Sequence, residues 1–325
     1  MLEELAIKRL NIQLTKRCNQ RCRSCNSYQL AEKEKTEEEL SLEEIADLIA
    51  DACGQWNIHN IALTGGEPTI RKDILEIGKI ASAYAPNVSV TTNGFYFSEK
   101  ERVMEMVRGG VNRFSFSYHG IGKQDRFANA AGAEERLRNA IGWIHEVKSK
   151  GDYWDLYAKI SILFDGENID DVEAMLDYAE SQDMDLYMEI VDRSIPFFCQ
   201  SEMAGKEELS KEKLSYAAAK IRSWLRVGRR ILISENGVQF MMKHYTRQPI
   251  RGTCPLGLTD IFIESNGDIR SGCWVLPPVG NIRKAGLTEV QSSEIYRKNI
   301  ENMLLRNCPG CTCGYLAQAE YMKSG

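Results

Sequence analysis

Six short runs rich in apolar and β-branched residues predict β-strands: RLNIQL at 9–14, NIALT at 60–64, NVSVTT at 87–92, NRFSFS at 112–117, YAKISILF at 157–164 and DLYMEIV at 185–191. Between them apolar residues recur at helical spacing over about 41–53, 73–84, 98–109, 132–150 and 168–182, and again over about 210–227. Start signals accompany several of these helices. Ser41 with Glu44, and Ser98 with Glu101, fit capping boxes, and Asn168 fits an N-cap followed by Asp170 and Asp171. Strand and helix alternating six times predict parallel strands joined by right-handed crossovers. Such a unit can curl into a partial barrel or stay open as a doubly wound sheet. In both, functional residues belong where strands end and loops begin. The charged stretch AEKEKTEEEL, 31–40, predicts a solvated loop leading into a helix.

After about residue 229 the alternation stops. DIFIESNGDIRSGCW, 260–274, predicts a hairpin turning at Asn266-Gly267, and a short helix follows over about 288–306. The chain then becomes dense in cysteine, NCPGCTCGY at 307–315. A hairpin and one helix bury little apolar surface, so a metal is expected to staple this segment. The predicted organisation is a barrel unit over 1–230 and a cysteine-rich auxiliary unit over 231–325.

A chain of 325 residues suits one large α/β core with an appendage, and its composition is that of an ordinary globular protein. A net charge of −5 offers no broad basic field, which disfavours a nucleic-acid substrate. Neither a signal or transit segment nor a long apolar run is evident, so the expectation is a cytoplasmic protein without a membrane span. Ten cysteines in a reducing compartment point to metal or redox chemistry. Eight of them stand near the two ends: 18, 22 and 25, then 254, 273, 308, 311 and 313.

Cys18, Cys22 and Cys25 follow the first predicted strand. A structural zinc takes four protein ligands, and no fourth Cys or His is nearby. Three thiolates fit an iron–sulfur cluster with one iron left open, although zinc and unrelated thiols remain alternatives. The second strand ends in Gly65, Gly66, Glu67 and Pro68. Two glycines admit close approach of a ligand to the backbone, and Glu67 supplies a carboxylate for an ammonium group.

C-x3-C-x2-C after the first strand, GGEP after the second and TTNG after the third resemble the radical S-adenosylmethionine (radical SAM) superfamily over roughly 10–230. The resemblance implies a partial (βα)6 barrel with a [4Fe-4S] cluster on Cys18, Cys22 and Cys25. Its open iron would chelate SAM, and one-electron reduction would give a 5′-deoxyadenosyl radical that abstracts a substrate hydrogen. Carried over by motif, Gly65, Gly66 and Glu67 would receive the SAM amino group. Thr92 and Asn93 fall in the third-strand contact region, Ser117 matches the fourth-strand polar residue, and Lys159 a fifth-strand SAM contact. Two positions depart from the pattern: Ser24 stands where an aromatic residue is common, and His119 where the fourth-strand turn usually has Asp. At the other end, Cys254, Cys273, Cys308 and Cys311 resemble a twitch-type relative of the SPASM domain, which would hold an auxiliary [4Fe-4S] cluster. Cys313 is a competing fourth ligand, and a zinc ribbon is the alternative.

Cys53 is expected to pack against the core. Cys199, just beyond the sixth strand, is a candidate hydrogen-atom donor to a substrate radical, and His119 and His244 are candidate general bases. The expected function is radical SAM oxidation or epimerisation of a small polar substrate of the sugar or aminocyclitol kind. The first strand begins within a dozen residues of the first methionine, so no peptide-recognition domain is expected before it. A maturase of ribosomally made peptides and a non-catalytic electron-transfer scaffold are the alternatives. The expected partner is an external one-electron reductant such as flavodoxin or ferredoxin.

Overall fold

The computed structural model describes residues 6–33, 39–190, 209–246, 248, 254–305 and 307. All six predicted strands form: β1 (Arg9–Thr15), β2 (Asn60–Gly65), β3 (Asn87–Thr92), β4 (Arg113–Ser117), β5 (Tyr157–Phe164) and β6 (Asp185–Ile190). They pair in parallel in strictly sequential order. With every crossover right-handed, sequential order places all connecting helices on one face. A doubly wound sheet needs a reversal of strand order, and there is none. The sheet is therefore barrel-like, and among the described residues it stays open, with β6 at one edge.

Alternation along the strands divides the two faces. On β5 Ala158, Ile160 and Phe164 are buried beneath helices, whereas Lys159 and Ser161 line the interior cavity, which Ile162 and Leu163 also reach near the end of the strand. On β6 Leu186, Met188 and Ile190 are buried in the same way, and Tyr187 and Glu189 line the cavity. The apolar core thus lies between strands and helices, and the concave face carries polar side chains such as Lys159, Ser161, Tyr187 and Glu189. A closed eight-stranded barrel instead fills its interior with branched apolar side chains. This polar lining leaves room for a polar guest.

Helices span Leu42–Gln55, Ile74–Tyr84, Lys100–Arg108, Ala133–Ser149, Val172–Ser181 and Lys211–Arg226. The Ser41–Glu44 capping box is present, with both reciprocal bonds. Two cap expectations are corrected. Ser98 ends a short 3₁₀ turn, Phe95–Ser98, and the helix start falls to Glu99, which makes no side-chain cap. Asn168 turns away from its helix: its Oδ1 accepts the Asp165 N–H, and its Nδ2 donates to the carbonyls of His119 and Leu163. It ties the β4 and β5 loops together. No described helix is long and apolar enough to cross a membrane.

The C-terminal hairpin is not a detached unit. Its first strand, β7 (Asp260–Ile263), pairs in parallel with β1, so the hairpin prolongs the barrel sheet through β8 (Asp268–Arg270) and β9 (Gly280–Asn281). The turn is one residue tighter in its demands than the Asn-Gly signal suggests. Only Gly267 takes positive φ, +88°, while the Gly267 N–H bonds back to Glu264 O. The predicted final helix divides into Leu287–Ser292 and Glu294–Leu304, the second capped by Ser293.

Candidate active site

A cavity of about 350 Å³ opens at the C-terminal ends of the strands. Cys18, Cys22, Cys25, Gly65, Gly66 and Glu67 line it. So do Thr92, Asn93, Ser117 and Lys159. Every expected site residue of the barrel that lies among the described residues is thus brought to one cavity. Cys199, Cys308, Cys311 and Cys313 lie outside the described residues, as does the side chain of His244.

The cysteine loop is held from several sides. On one side the Gly66 N–H donates to Thr15 O at 2.7 Å and the Glu67 N–H to Arg17 O at 2.9 Å. On the other, the Arg21 and Arg23 N–H groups donate to Ala128 O and Phe127 O. Arg23 also reaches across the mouth to form ion pairs with Asp165 and Glu167 of the β5 loop, with 2.6 Å to Asp165. These contacts place a further demand on the glycines. On the side a Cβ would occupy, the cysteine loop itself approaches their backbone: a Cβ on Gly65 would overlap Thr15 O, and one on Gly66 would overlap Arg17 O.

Two of the three sulfurs already receive backbone donors, Gln20 N–H to Cys18 Sγ and Ser27 N–H to Cys25 Sγ, each at 3.4 Å. Burial pushes the Cys18 thiol up to about 11, with the nearby Glu67 and Cys25 adding to it; Cys22 and Cys25 are pushed up as well, chiefly by burial. Thiols in this environment become thiolates when a bound cation compensates them. Among the described residues no three His, Cys, Asp or Glu side chains converge as a single metal ion requires. Three sulfurs lining one cavity, two of them supplied with N–H donors, fit a cluster, whose potential such bonds tune. Ser24 beside them is 3% exposed and lines the cavity, and its hydroxyl has no partner among the described residues, which leaves a hydrogen-bonding group for a guest.

Glu67 is fully buried and works as a hub. Its Oε1 accepts the Thr69 N–H and hydroxyl and the Thr92 hydroxyl, and its Oε2 accepts the Asn93 N–H at 2.7 Å. Asn93 in turn donates to Asn19 Oδ1 at 2.8 Å, joining the β3 loop to the cysteine loop. Burial pushes the Glu67 carboxyl up, against the pull of these donors. Lys159 lies deeper, paired in register with Ser115, its ammonium 4.3 Å from the Tyr187 ring centroid. The Tyr187 hydroxyl donates to Glu189 at 2.8 Å. Tyr187 and Glu189 were not singled out from the sequence, and the signal for them was the alternation within DLYMEI.

The expectation of a general base at His119 is corrected. The ring is buried and stacked on Phe127 with centroids 4.0 Å apart, and its Nδ1 accepts the Leu163 N–H at 3.0 Å. Burial first, and the charge of Arg23 second, bring its pKa down to about 3. A ring that accepts at Nδ1 and is neutral carries its proton on Nε2. Because the folded pKa lies below the unfolded one, this stability is present above the unfolded value and lost as pH falls toward 3. Between about pH 7 and about pH 4.5 the wild type should lose about 2 to 3 kcal/mol more than His119→Asn. Urea unfolding at the two pH values checks this, and parallel losses in both proteins would show that His119 is not held neutral.

The C-terminal cysteines within the described residues also meet. Cys254 and Cys273 share a small buried cluster with Leu276 and Met303, and the Cys254 N–H donates to Met303 O. Gly272, at φ +75°, permits this, since a Cβ there would overlap Leu256 O.

Comparison with known proteins places these features. The model of the radical SAM superfamily matches residues 12–179, just over half of the chain. A probable GTP 3′,8-cyclase of Thermococcus kodakarensis is 32% identical over 164 residues, 46% of this chain. The match spans about half of that relative, 52% of its length. A second probable GTP 3′,8-cyclase, of Methanocella arvoryzae, is 29% identical over 66% of this chain and 67% of its own. Among solved structures, Streptococcus suis SuiB superposes on 90% of this chain and 67% of its own with a TM-score of 0.65. A structure of SuiB bound to S-adenosylmethionine gives 0.64. At 13% identity these two likenesses concern the fold alone.

Proposed function

The chain belongs to the radical SAM superfamily, and from that premise we propose that Cys18, Cys22 and Cys25 hold a [4Fe-4S] cluster at the cavity mouth and that the enzyme draws a hydrogen atom from a small polar substrate. The observation that carries this reading is the meeting of the three-cysteine loop and the Gly65–Glu67 loop at one polar cavity. When bound, the reduced cluster supplies the electron that cleaves SAM to methionine and a 5′-deoxyadenosyl radical.

The chain's own residues position and shield this chemistry. Glu67 Oε2 takes one donor in the structure, which leaves it capacity for the SAM ammonium group. Thr92 and Asn93 act through Glu67, holding its carboxylate in place. Ser117 and Lys159, which line the same cavity, would be further SAM contacts. Ser115, Ser161, Tyr187 and Glu189 present hydroxyls and a carboxylate deeper in the cavity, where a polyhydroxylated substrate finds partners. Cys254 and Cys273, with Cys308 and either Cys311 or Cys313, would hold an auxiliary [4Fe-4S] cluster able to accept the surplus electron of an oxidation. Cys199 would serve an epimerisation instead. Flavodoxin or ferredoxin in the cytoplasm would supply electrons.

A second reading is a GTP 3′,8-cyclase, favoured by the names of the curated relatives. A triphosphate calls for several Lys or Arg side chains around it. Among the described residues the cavity lining has one ammonium, Lys159, beside two carboxylates, Glu67 and Glu189.

Anaerobic reconstitution followed by dithionite and SAM tests the reading. The wild type should release 5′-deoxyadenosine well above a Cys18→Ala control, and equal amounts would refute it. Deuterated sugars, aminocyclitols and GTP then separate the substrates, since only the true one passes deuterium to 5′-deoxyadenosine.

A further inference from the structure

A chain of charges, buried at Lys16 and Glu264 and half-buried at Arg270, runs from the first cysteine loop to the C-terminal cysteine segment. Lys16, two residues before Cys18, is 8% exposed, and its ammonium lies 3.3 Å from Glu264 Oε2. The other oxygen of Glu264 pairs with Arg270 Nε. Arg270 stands three residues before Cys273, and its Nη1 donates to Trp274 O at 3.2 Å and to Leu276 O, on the far side of that cysteine. Both ends are anchored locally. Lys16 O accepts the Ser27 hydroxyl of the cysteine loop, and Ser265 O, in the turn beside Glu264, accepts the Leu40 N–H.

A buried cation–carboxylate–cation chain is a poor source of net stability, because desolvation of three charges offsets their attraction. Apolar side chains of similar volume would hold the hairpin against the barrel at least as well. What they would lack is direction, since hydrogen-bonded charges fix one register and apolar contacts tolerate several. We infer that Glu264 is a positioning residue that sets the Cys18 loop and the Cys273 loop in one register through Lys16 and Arg270. This rests on the assignment of Cys18, Cys22 and Cys25 to a cluster, and it adds that their placement depends on a carboxylate some 240 residues away in sequence, between Cys25 and Glu264.

Two variants of the reconstituted holoenzyme test it. Glu264→Gln deprives Lys16 and Arg270 of the carboxylate they share; it should retain iron about 10-fold or more weakly against a chelator and show an altered EPR signal of the reduced protein. The triple variant Lys16→Met, Glu264→Leu, Arg270→Met should regain wild-type thermal stability and still show the altered signal. A triple variant with both stability and signal restored would reduce the triad to ordinary packing, and a Glu264→Gln protein identical to wild type in iron retention and EPR would overturn the inference. Alkylation of Cys18 and Cys273, read by mass spectrometry, reports the register without iron. A wild type that binds no iron would therefore fail the cluster assignment alone, while unchanged alkylation of both thiols in Glu264→Gln would fail the inference alone.

Discussion

Gly66→Ala is expected to lower SAM cleavage by at least about 100-fold while the barrel still folds, because the substitution displaces the cysteine loop by something near an ångström. The added Cβ would overlap Arg17 O and lie 2.6 Å from Lys16 O. Both are backbone atoms of the segment leading into Cys18, so no side-chain rotation relieves the contact. The loop must move, and with it the bond from the Gly66 N–H to Thr15 O. Iron content per chain and 5′-deoxyadenosine release should fall together, with a stability loss of about 1 to 3 kcal/mol. Gly54→Ala is the control. Its Cβ would meet nothing within 4 Å, and it lies in the helix Leu42–Gln55, so stability should hold or rise by about 0.5 to 1 kcal/mol with iron unchanged. Full iron loading in Gly66→Ala would show that the loop has slack the structure does not suggest.

The barrel was legible because its signal is local. YAKISILF and DLYMEI carry both the β-branched residues that make a strand and the alternation that assigns its faces. The cysteine loop and the Gly65–Glu67 loop were legible for a related reason: in a parallel α/β unit each follows a strand, so both arrive at the same end. What spacing could not show are pairings between distant segments. Arg23 with Asp165 is separated by 142 positions, and Asn11 with Asp260 by 249. Asn168 carries a good N-cap signal, yet its Oδ1, the atom a cap would use, accepts the Asp165 N–H instead, and its Nδ2 is held by Leu163 O and by His119 O, 49 positions away. His119 has the residue type of a general base, and only its burial against Phe127 and its bond from Leu163 show it to be neutral. The attachment of β7 to β1 was hidden for the same reason, since a hairpin signal says nothing of which edge the hairpin joins.

Substitution of Glu67 should separate its two roles. Glu67→Ala leaves the Thr69 and Asn93 N–H groups and two hydroxyls without their acceptor in a buried site. At about 1 to 3 kcal/mol for each of the two N–H groups left unpaired, the hydroxyls being able to turn to other acceptors, a loss of about 2 to 6 kcal/mol is expected, enough to threaten the fold. Glu67→Gln is milder. Its carbonyl oxygen can keep the three donors now held by Oε1, and its amide faces the Asn93 N–H, so about 1 to 2 kcal/mol is lost. The Gln protein nonetheless lacks the negative charge offered to an ammonium group, and its affinity for SAM should drop about 10-fold or more. Equilibrium titration with SAM, set beside urea unfolding, reads the two effects separately. Weak binding in a stable Gln protein would mark the carboxylate as a SAM contact. Wild-type binding there, with an unstable Ala protein, would make Glu67 only the brace that joins the β2 and β3 loops.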